Sequence, residues 1–376
     1  MGANGRRIFT KVGFVGSLLA LTYVGGCSAG PESLRFAAIG DMGTGGPGQR
    51  KVAATMAERA REEPFQFWLT LGDNIYPWGV LSPDDPQWEE KFESVYDDPA
   101  LQVPVYGTLG NHDYLGLPLA QVERSARSDT WTMPDRYYAF SSFLADGTEV
   151  AFFALDTEMI LSGIKTDIED TPVEERMEMV RNIAERGEAE IPESLVRYVA
   201  ERIHAEDGWA VWRIVILADE TDREITEDLV DEVLVGSGTP DYPTQLDWLR
   251  RSLSESDARW KIVFGHQPLY SHNPWRGSSP TFVEHLEPIL VDGGVDLYLA
   301  GHDHFLDMMK PVKGIHHVTS GGGSGDDEPY EFDQTDESYY VATGGGFTLF
   351  RVTGDELVIE FVDLQGVTQY THVLEK

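Results

Sequence analysis

Cysteine is almost absent from this sequence: Cys27 is the single one in 376 residues. A disulfide within the chain is thereby excluded, so stability has to come from packing and from any metal the chain holds. Basic residues are also scarce, 29 Lys and Arg against 64 Asp and Glu, for a formal charge of −35. That balance excludes nucleic acid as a partner, because displacing a polyanion's counterions takes clustered Lys and Arg. It also repels an anionic substrate at long range, so such a substrate needs local positive charge, from metal or arginine, at its site. No internal repeat, heptad run or low-complexity tract stands out. What is present, 41% hydrophobic and 11% aromatic residues, is the composition of a globular protein with a full-sized core. The length suits one large domain or two ordinary ones.

The amino terminus reads as a targeting segment rather than as part of the fold. Arg6, Arg7 and Lys11 form a basic region, residues 12–21 a short apolar one, and Val24-Gly25-Gly26 a run that ends in small residues. The apolar stretch is too short for a membrane-spanning helix, so residues 1–26 are expected to be a signal peptide. Val24-Gly25-Gly26-Cys27 resembles a bacterial lipobox, which implies export and a lipid anchor on Cys27. Without that anchor, the same leader implies a periplasmic or extracellular protein. Residues 27–33 then read as a linker and 34–376 as the folded domain. An acidic, helix-favouring segment over 158–240 interrupts that domain; its best helical stretches are 173–186 and 193–206. Trp209 to Leu217 within it fits a strand or a buried helix equally well. The insertion is expected to form a rim over the site, and residues 326–338 an exposed acidic loop.

A short apolar run followed by a polar turn recurs along the chain. Residues 34–39 lead into Gly40-Asp41, 65–71 into Gly72-Asp73, and 103–109 into Gly110-Asn111-His112-Asp113. Residues 149–155 lead into Asp156, 261–264 into Gly265-His266, and 295–300 into Gly301-His302-Asp303-His304. Such runs are the pattern of strands buried on both faces. Helices are expected over 48–62, 243–256 and 281–292, and strands alternating with helices indicate an α/β fold. Residues 347–352 and 357–362 read as an antiparallel hairpin closing a second sheet. Ligands of open α/β sheets sit beyond the carboxyl ends of the strands, where every one of these polar turns falls.

Singly, each turn is weak evidence, since Gly-Asp after a strand is usually a turn or a cap and a lone histidine is usually structural. Together, Asp41, Asp73, Asn111, His266, His302 and His304 make a mixed nitrogen and oxygen donor set suited to Fe, Zn or Mn rather than Ca. A shared carboxylate among them can hold two metals about 3.5–4 Å apart, the spacing used for in-line phosphoryl displacement.

Gly40-Asp41-Met42-Gly43, Gly72-Asp73-Asn74-Ile75-Tyr76, Gly110-Asn111-His112-Asp113, Val263-Phe264-Gly265-His266 and Gly301-His302-Asp303-His304 resemble, in order, the five blocks of the calcineurin-like metallophosphoesterases. Tyr76 narrows the resemblance to the purple acid phosphatases of the small tartrate-resistant type. Trp131-Thr132-Met133-Pro134, Leu155-Asp156-Thr157 and the closing hairpin are similar to that branch too. The resemblance covers 34–157 and 241–376, and it implies a two-sheet β-sandwich flanked by helices. It further implies hydrolysis of phosphate monoesters by a metal-bound hydroxide at a site of two metal ions, Fe(III) plus a divalent Fe, Zn or Mn. Asp41, Tyr76 and His304 resemble the ligands of the first metal, Asn111, His266 and His302 those of the second, and Asp73 the bridge. A phenol, with an ordinary pKa near 10, binds as phenolate only to a strongly Lewis-acidic ion, which favours a trivalent metal at Tyr76.

His112 resembles the family's outer-sphere histidine, which contacts phosphate and protonates the leaving group, with Asp113 expected to orient it. The family's further histidine, nine residues after the position of His266, is replaced here by Trp275; His272 lies nearer and is the candidate substitute. His316 and His317 match no motif and read as structural. A calcineurin-like phosphodiesterase is the alternative enzyme, against which Tyr76 argues. A surface binding protein on an inactive phosphatase scaffold is the alternative of another class, against which the full ligand set argues. The implied partner is a small phosphate ester, with no obligate protein partner evident.

Overall fold

The computed structural model describes residues 30–168, 172–187, 189, 191–201, 208–220, 223–237, 242–273, 276–325 and 336–376. The expected leader, Cys27, Trp275 and most of the acidic loop over 326–338 lie outside the described residues. Two seven-stranded sheets form the body of the chain. The first runs β14-β13-β12-β1-β2-β3-β4, from β1 (Leu34–Ile39), β2 (Phe67–Thr70), β3 (Val105–Tyr106), β4 (Trp131–Thr132), β12 (Gly346–Val352), β13 (Glu356–Asp363) and β14 (Thr368–Glu375). The second runs β11-β9-β10-β8-β7-β6-β5, from β5 (Tyr138–Phe143), β6 (Glu149–Ala154), β7 (Trp260–Phe264), β8 (Leu297–Ala300), β9 (Phe305–Met309), β10 (His316–Ser320) and β11 (Ser338–Thr343).

Both sheets are mixed: the first has a parallel half that runs to its β4 edge and an antiparallel half, and the second has a parallel centre with antiparallel flanks. In the first, β1 through β4 are parallel; in the second, β6, β7, β8 and β10 are. The hairpin of β12 and β13 forms as expected, but β12 pairs antiparallel with β1, so the hairpin extends the first sheet instead of closing the second. The reason lies in the pairing register: Phe36 stands opposite Phe350, and their rings stack 4.6 Å apart.

The sheets face each other across an aromatic core. Phe36 and Phe67 of the first sheet meet Phe152 of the second edge-on, at 5.2 and 5.3 Å, and Phe140 stacks on Phe152 at 4.8 Å. Each such ring, removed from water, contributes roughly 1.5–3 kcal/mol, and this packing fixes the spacing of the two sheets. A second apolar layer covers the outer face of the second sheet, where Leu246, Leu249 and Leu253 of one helix pack with Phe153, Val263 and Tyr298.

Helices fall close to where periodicity places them. The first, α1 (Pro47–Glu62), opens with proline at its start, where a missing N–H costs nothing, and buries Val52, Met56 and Ala60 at intervals of four. Next along the chain comes α2 (Pro118–Arg124). Segment 158–240 contains α3 (Thr157–Ile168), α4 (Val173–Arg186), α5 (Glu193–Ala200), α6 (Gly208–Glu220) and α7 (Glu227–Ser237). Trp209 to Leu217 thus lies in a helix. Within the insertion, α4 to α7 enclose their own apolar cluster, including Val180, Val199, Ile214 and Val230. After it come α8 (Tyr242–Glu255), α9 (Pro280–His285) and α10 (Glu287–Asp292). The single helix expected over 281–292 is broken at Leu286, because Pro288 supplies no N–H and its ring crowds the preceding turn.

His316 and His317 lie on β10, and His317 is buried against Tyr270 and Tyr298. Burial holds its imidazole down at about 4, so it is a neutral core residue near pH 7.

Candidate metal centre

The parallel strands of both sheets end at one edge of the sandwich. There Gly40 donates to the Ser320 carbonyl, Asp41 to Gly72, and Gly301 to His266, tying the turns after β1, β2, β7 and β8 into one block. Three of the four described non-glycine residues with positive φ sit in these turns: Asp41 (57°), Asp73 (51°) and His302 (69°). An L-residue is strained in that region, and such strain collects where side chains must be aimed. Each follows a glycine that admits the close approach. A Cβ on Gly72 would lie 2.6 Å from His266 Nδ1, and one on Gly301 would lie 2.7 Å from Asp41 Oδ2.

Side-chain donors gather into two sets. Around Tyr76 Oη stand Asp73 Oδ2 at 2.8 Å, Asp41 Oδ1 at 3.2 Å and His304 Nε2 at 3.2 Å. Around His266 Nε2 stand Asn111 Oδ1 at 3.1 Å, His302 Nδ1 at 3.1 Å and Asp73 Oδ1 at 3.5 Å. Asp73 serves both sets, one oxygen to each. All seven residues that the sequence marks as metal ligands are therefore brought together, and Asp41, Asp73 and His266 are buried within mutual reach of one ion.

The donor chemistry fits a cation in each set. His266 Nδ1 faces the Leu71 carbonyl at 2.7 Å, and a carbonyl only accepts, so the neutral ring keeps its proton there and presents a lone pair at Nε2. That lone pair meets the Asn111 oxygen and the Asp73 carboxylate, which are also acceptors, so the position calls for a cation. Either a metal ion supplies it or a second proton on the ring does, since burial lowers the pKa of His266 but the charges of Asp73 and Asp41 outweigh it and raise the value overall. Burial and the charges of Asp41 and Asp73 push the Tyr76 phenol well above its ordinary value. Burial alone would raise the Asp41 carboxyl, but the His304 hydrogen bond and the imidazoles of His266, His304 and His302 hold it at about 2. His302 is held well below the usual imidazole range by burial, then by His266 and Arg276.

Asp113 does not orient His112 as expected. It is fully buried, and its carboxylate accepts from the backbone N–H of Asn74, Ile75 and Gly110 and from the Gln121 and Asn74 amides. A carboxylate saturated by amides staples the Asp73 turn to the Asn111 turn; burial, then the Asp73 charge, raises its pKa. His112 is instead fixed by Nδ1, which donates to the Pro77 carbonyl at 2.6 Å, and its ring lies 4.5 Å from that of Tyr76.

His272, the candidate substitute for the missing histidine, has other partners. Nδ1 lies 2.9 Å from Asp307 Oδ2 and 3.1 Å from Ser338 Oγ, and Nε2 lies 3.3 Å from Glu337 Oε2. Its hydrogen bonds among the described residues thus run to β9 and the β11 edge, not to the donor sets. The hydrogen bond to Asp307 raises its pKa, with burial opposing.

Sequence reasoning missed two arginines. Arg276 hydrogen-bonds the His302 carbonyl and lies 3.4 Å from Asp303 Oδ1. Arg213, on α6 of the insertion and only 3% exposed, donates to the Tyr114 carbonyl at 3.0 Å. The available signal was the scarcity of cations: in so acidic a chain, each arginine near the metal blocks carries more weight than usual.

Comparison with known proteins agrees with this geometry. Residues 34–306 match the family described as calcineurin-like phosphoesterase. Purple acid phosphatase 17 of Arabidopsis thaliana is 31% identical over 351 residues, covering 92% of this chain and 85% of that one. Tartrate-resistant acid phosphatase type 5 of Rattus norvegicus is 29% identical over 367 residues, 93% of this chain and 92% of its own. Among solved structures, GAP50, the anchor in the inner membrane complex of Plasmodium, shares the fold at a TM-score of 0.64 and 22% identity, covering 91% of this chain and 89% of its own. The yellow lupin (Lupinus luteus) purple acid phosphatase PPD1 shares it at 0.57 and 14%, covering 92% of this chain and 54% of its own. The chain belongs to the calcineurin-like phosphoesterases, in the purple acid phosphatase branch, and is a metal-dependent phosphoester hydrolase.

Proposed function

We propose that this protein is an acid phosphatase that hydrolyses phosphate monoesters at a dinuclear centre of Fe(III) and a divalent Fe, Zn or Mn. The observation that carries this reading is the division of seven donors into two sets that share only Asp73. Asp41, Tyr76 and His304 would hold the first ion, Asn111, His266 and His302 the second, and Asp73 both. Such a pair, when bound, lowers the pKa of water and neutralises charge on the phosphoryl group.

The chain's own residues then have separable tasks. Tyr76 lies between two carboxylates, so its phenol loses a proton only in favour of a strongly charged cation, which supports a trivalent ion in that set. Asp113 keeps the Asp73 and Asn111 turns in register. His112, with Nδ1 bound to the Pro77 carbonyl, keeps Nε2 for a proton that passes to the leaving alkoxide.

The test is an absorption spectrum paired with an assay. Aerobically purified, iron-loaded protein is expected to be violet to pink from phenolate-to-iron charge transfer, and to cleave a monoester faster than the matching diester. Tyr76→Phe keeps the ring and its packing, so the colour should go while the protein stays folded. A colourless iron-loaded wild type with a preference for diesters would replace this reading with a phosphodiesterase.

A further inference from the structure

We propose that Arg276 is a phosphate-binding residue of this site, gripping the substrate's phosphoryl oxygens from the rim; the inference rests on the phosphatase reading above. Its side chain is 44% exposed, and it hydrogen-bonds the backbone carbonyl of His302, a residue of the second donor set. A guanidinium has five N–H donors in a rigid fork. Among the described residues, the His302 carbonyl and the longer contact to Asp303 engage only Nη1, leaving the rest of the fork for an outside acceptor.

Arg276 and its described neighbours are tied to the turn that bears His302 and His304. Asp303, fully buried between His302 and His304, accepts from Ser271 Oγ and, at 2.7 Å, from Asn273 Nδ2. Asn273 in turn accepts from the Arg276 backbone N–H at 3.2 Å through its side chain and from the Gly277 N–H at 2.8 Å through its carbonyl. Gly277, at φ 64°, completes the turn. The same turn that aims His302 and His304 at the donor sets therefore positions Arg276 beside them. A fork held in advance loses little freedom on binding, so its ionic hydrogen bonds go largely into affinity.

Charge explains why this residue is an arginine. A phosphate dianion approaches a chain of formal charge −35, and a fixed cation at the rim opposes that field at short range. Arg276 binds and stabilises charge; it does not replace a proton-donating histidine.

The experiment is calorimetric titration of inorganic phosphate into the metal-loaded wild type, Arg276→Gln and Arg276→Lys, with metal content measured on the same samples. Glutamine keeps a donor for the His302 carbonyl but removes the charge. The expected result is full metal content in Arg276→Gln with phosphate binding weakened about 10- to 100-fold. Arg276→Lys should show a smaller loss, and the ester KM should rise more than kcat falls. A metal-replete Arg276→Gln that binds phosphate like the wild type overturns the proposal. Loss of metal in that variant also overturns it, since Arg276 would then hold the His302 turn and not the ligand. A metal-loaded wild type that binds no phosphate and cleaves no ester overturns the phosphatase reading itself, an outcome visible before any variant is made.

Discussion

The Nδ1 proton of His112 is committed to the Pro77 carbonyl, so any proton the ring exchanges with a substrate passes through Nε2. His272 has no comparable opening, because its nitrogens are engaged by Asp307, Ser338 and Glu337. The two histidines should therefore separate by leaving group. His112→Ala is expected to slow hydrolysis of an alkyl phosphate by about 10²–10⁴-fold, with a smaller effect on an activated aryl phosphate. His272→Ala should leave the ratio of those two rates unchanged. Rates on both esters at matched metal content check this, and an altered ratio in His272→Ala would return that residue to the proton pathway. At this scale the sequence was most informative about ligands and least about their neighbours. Asp41, Asp73 and His302 stand in Gly-Asp and Gly-His turns whose spacing is visible in one dimension. Asp113 is held by amides that include those of Asn74 and Ile75, and His272 by Asp307, Ser338 and Glu337, all tens of positions away, which no local pattern announces.

At the scale of elements, the insertion is part of the scaffold that supports the site. Arg213 of α6 donates to the carbonyl of Tyr114, and its guanidinium lies 5.9 Å from the Tyr114 ring, while Arg136 lies 5.3 Å from the same ring. The Tyr114 hydroxyl donates to Asp156 at 2.6 Å, joining the turn after His112 to the end of β6. Arg213→Met should cost about 1–3 kcal/mol by leaving a buried carbonyl without its donor. Urea unfolding measures it as a lower midpoint at unchanged slope. An unchanged midpoint would show that the insertion rests on the scaffold without bracing it. The helices of this segment were legible where amphipathic period was strong, as over 173–186, and illegible over Trp209 to Leu217, a run too uniformly apolar to show a period.

At the scale of the whole molecule, a chain of formal charge −35 carries a site whose donors are arranged to hold cations. The order of strands and turns along the chain made the fold class readable, since five of the six apolar runs ended in a turn that bore a donor. The placement of the β12–β13 hairpin beside β1 was not readable, because strand pairing is a long-range contact and periodicity says only which residues are buried. Nor does sequence order show that one carboxylate divides its two oxygens between two donor sets. That division is the centre of the account, and metal content per chain tests it most directly. Elemental analysis of purified wild type should give two metals. His304→Ala, from the first set, and His302→Ala, from the second, should each retain one, and Asp73→Ala should retain neither. Two metals in Asp73→Ala, or no difference between it and the single-set variants, would contradict the shared-carboxylate centre.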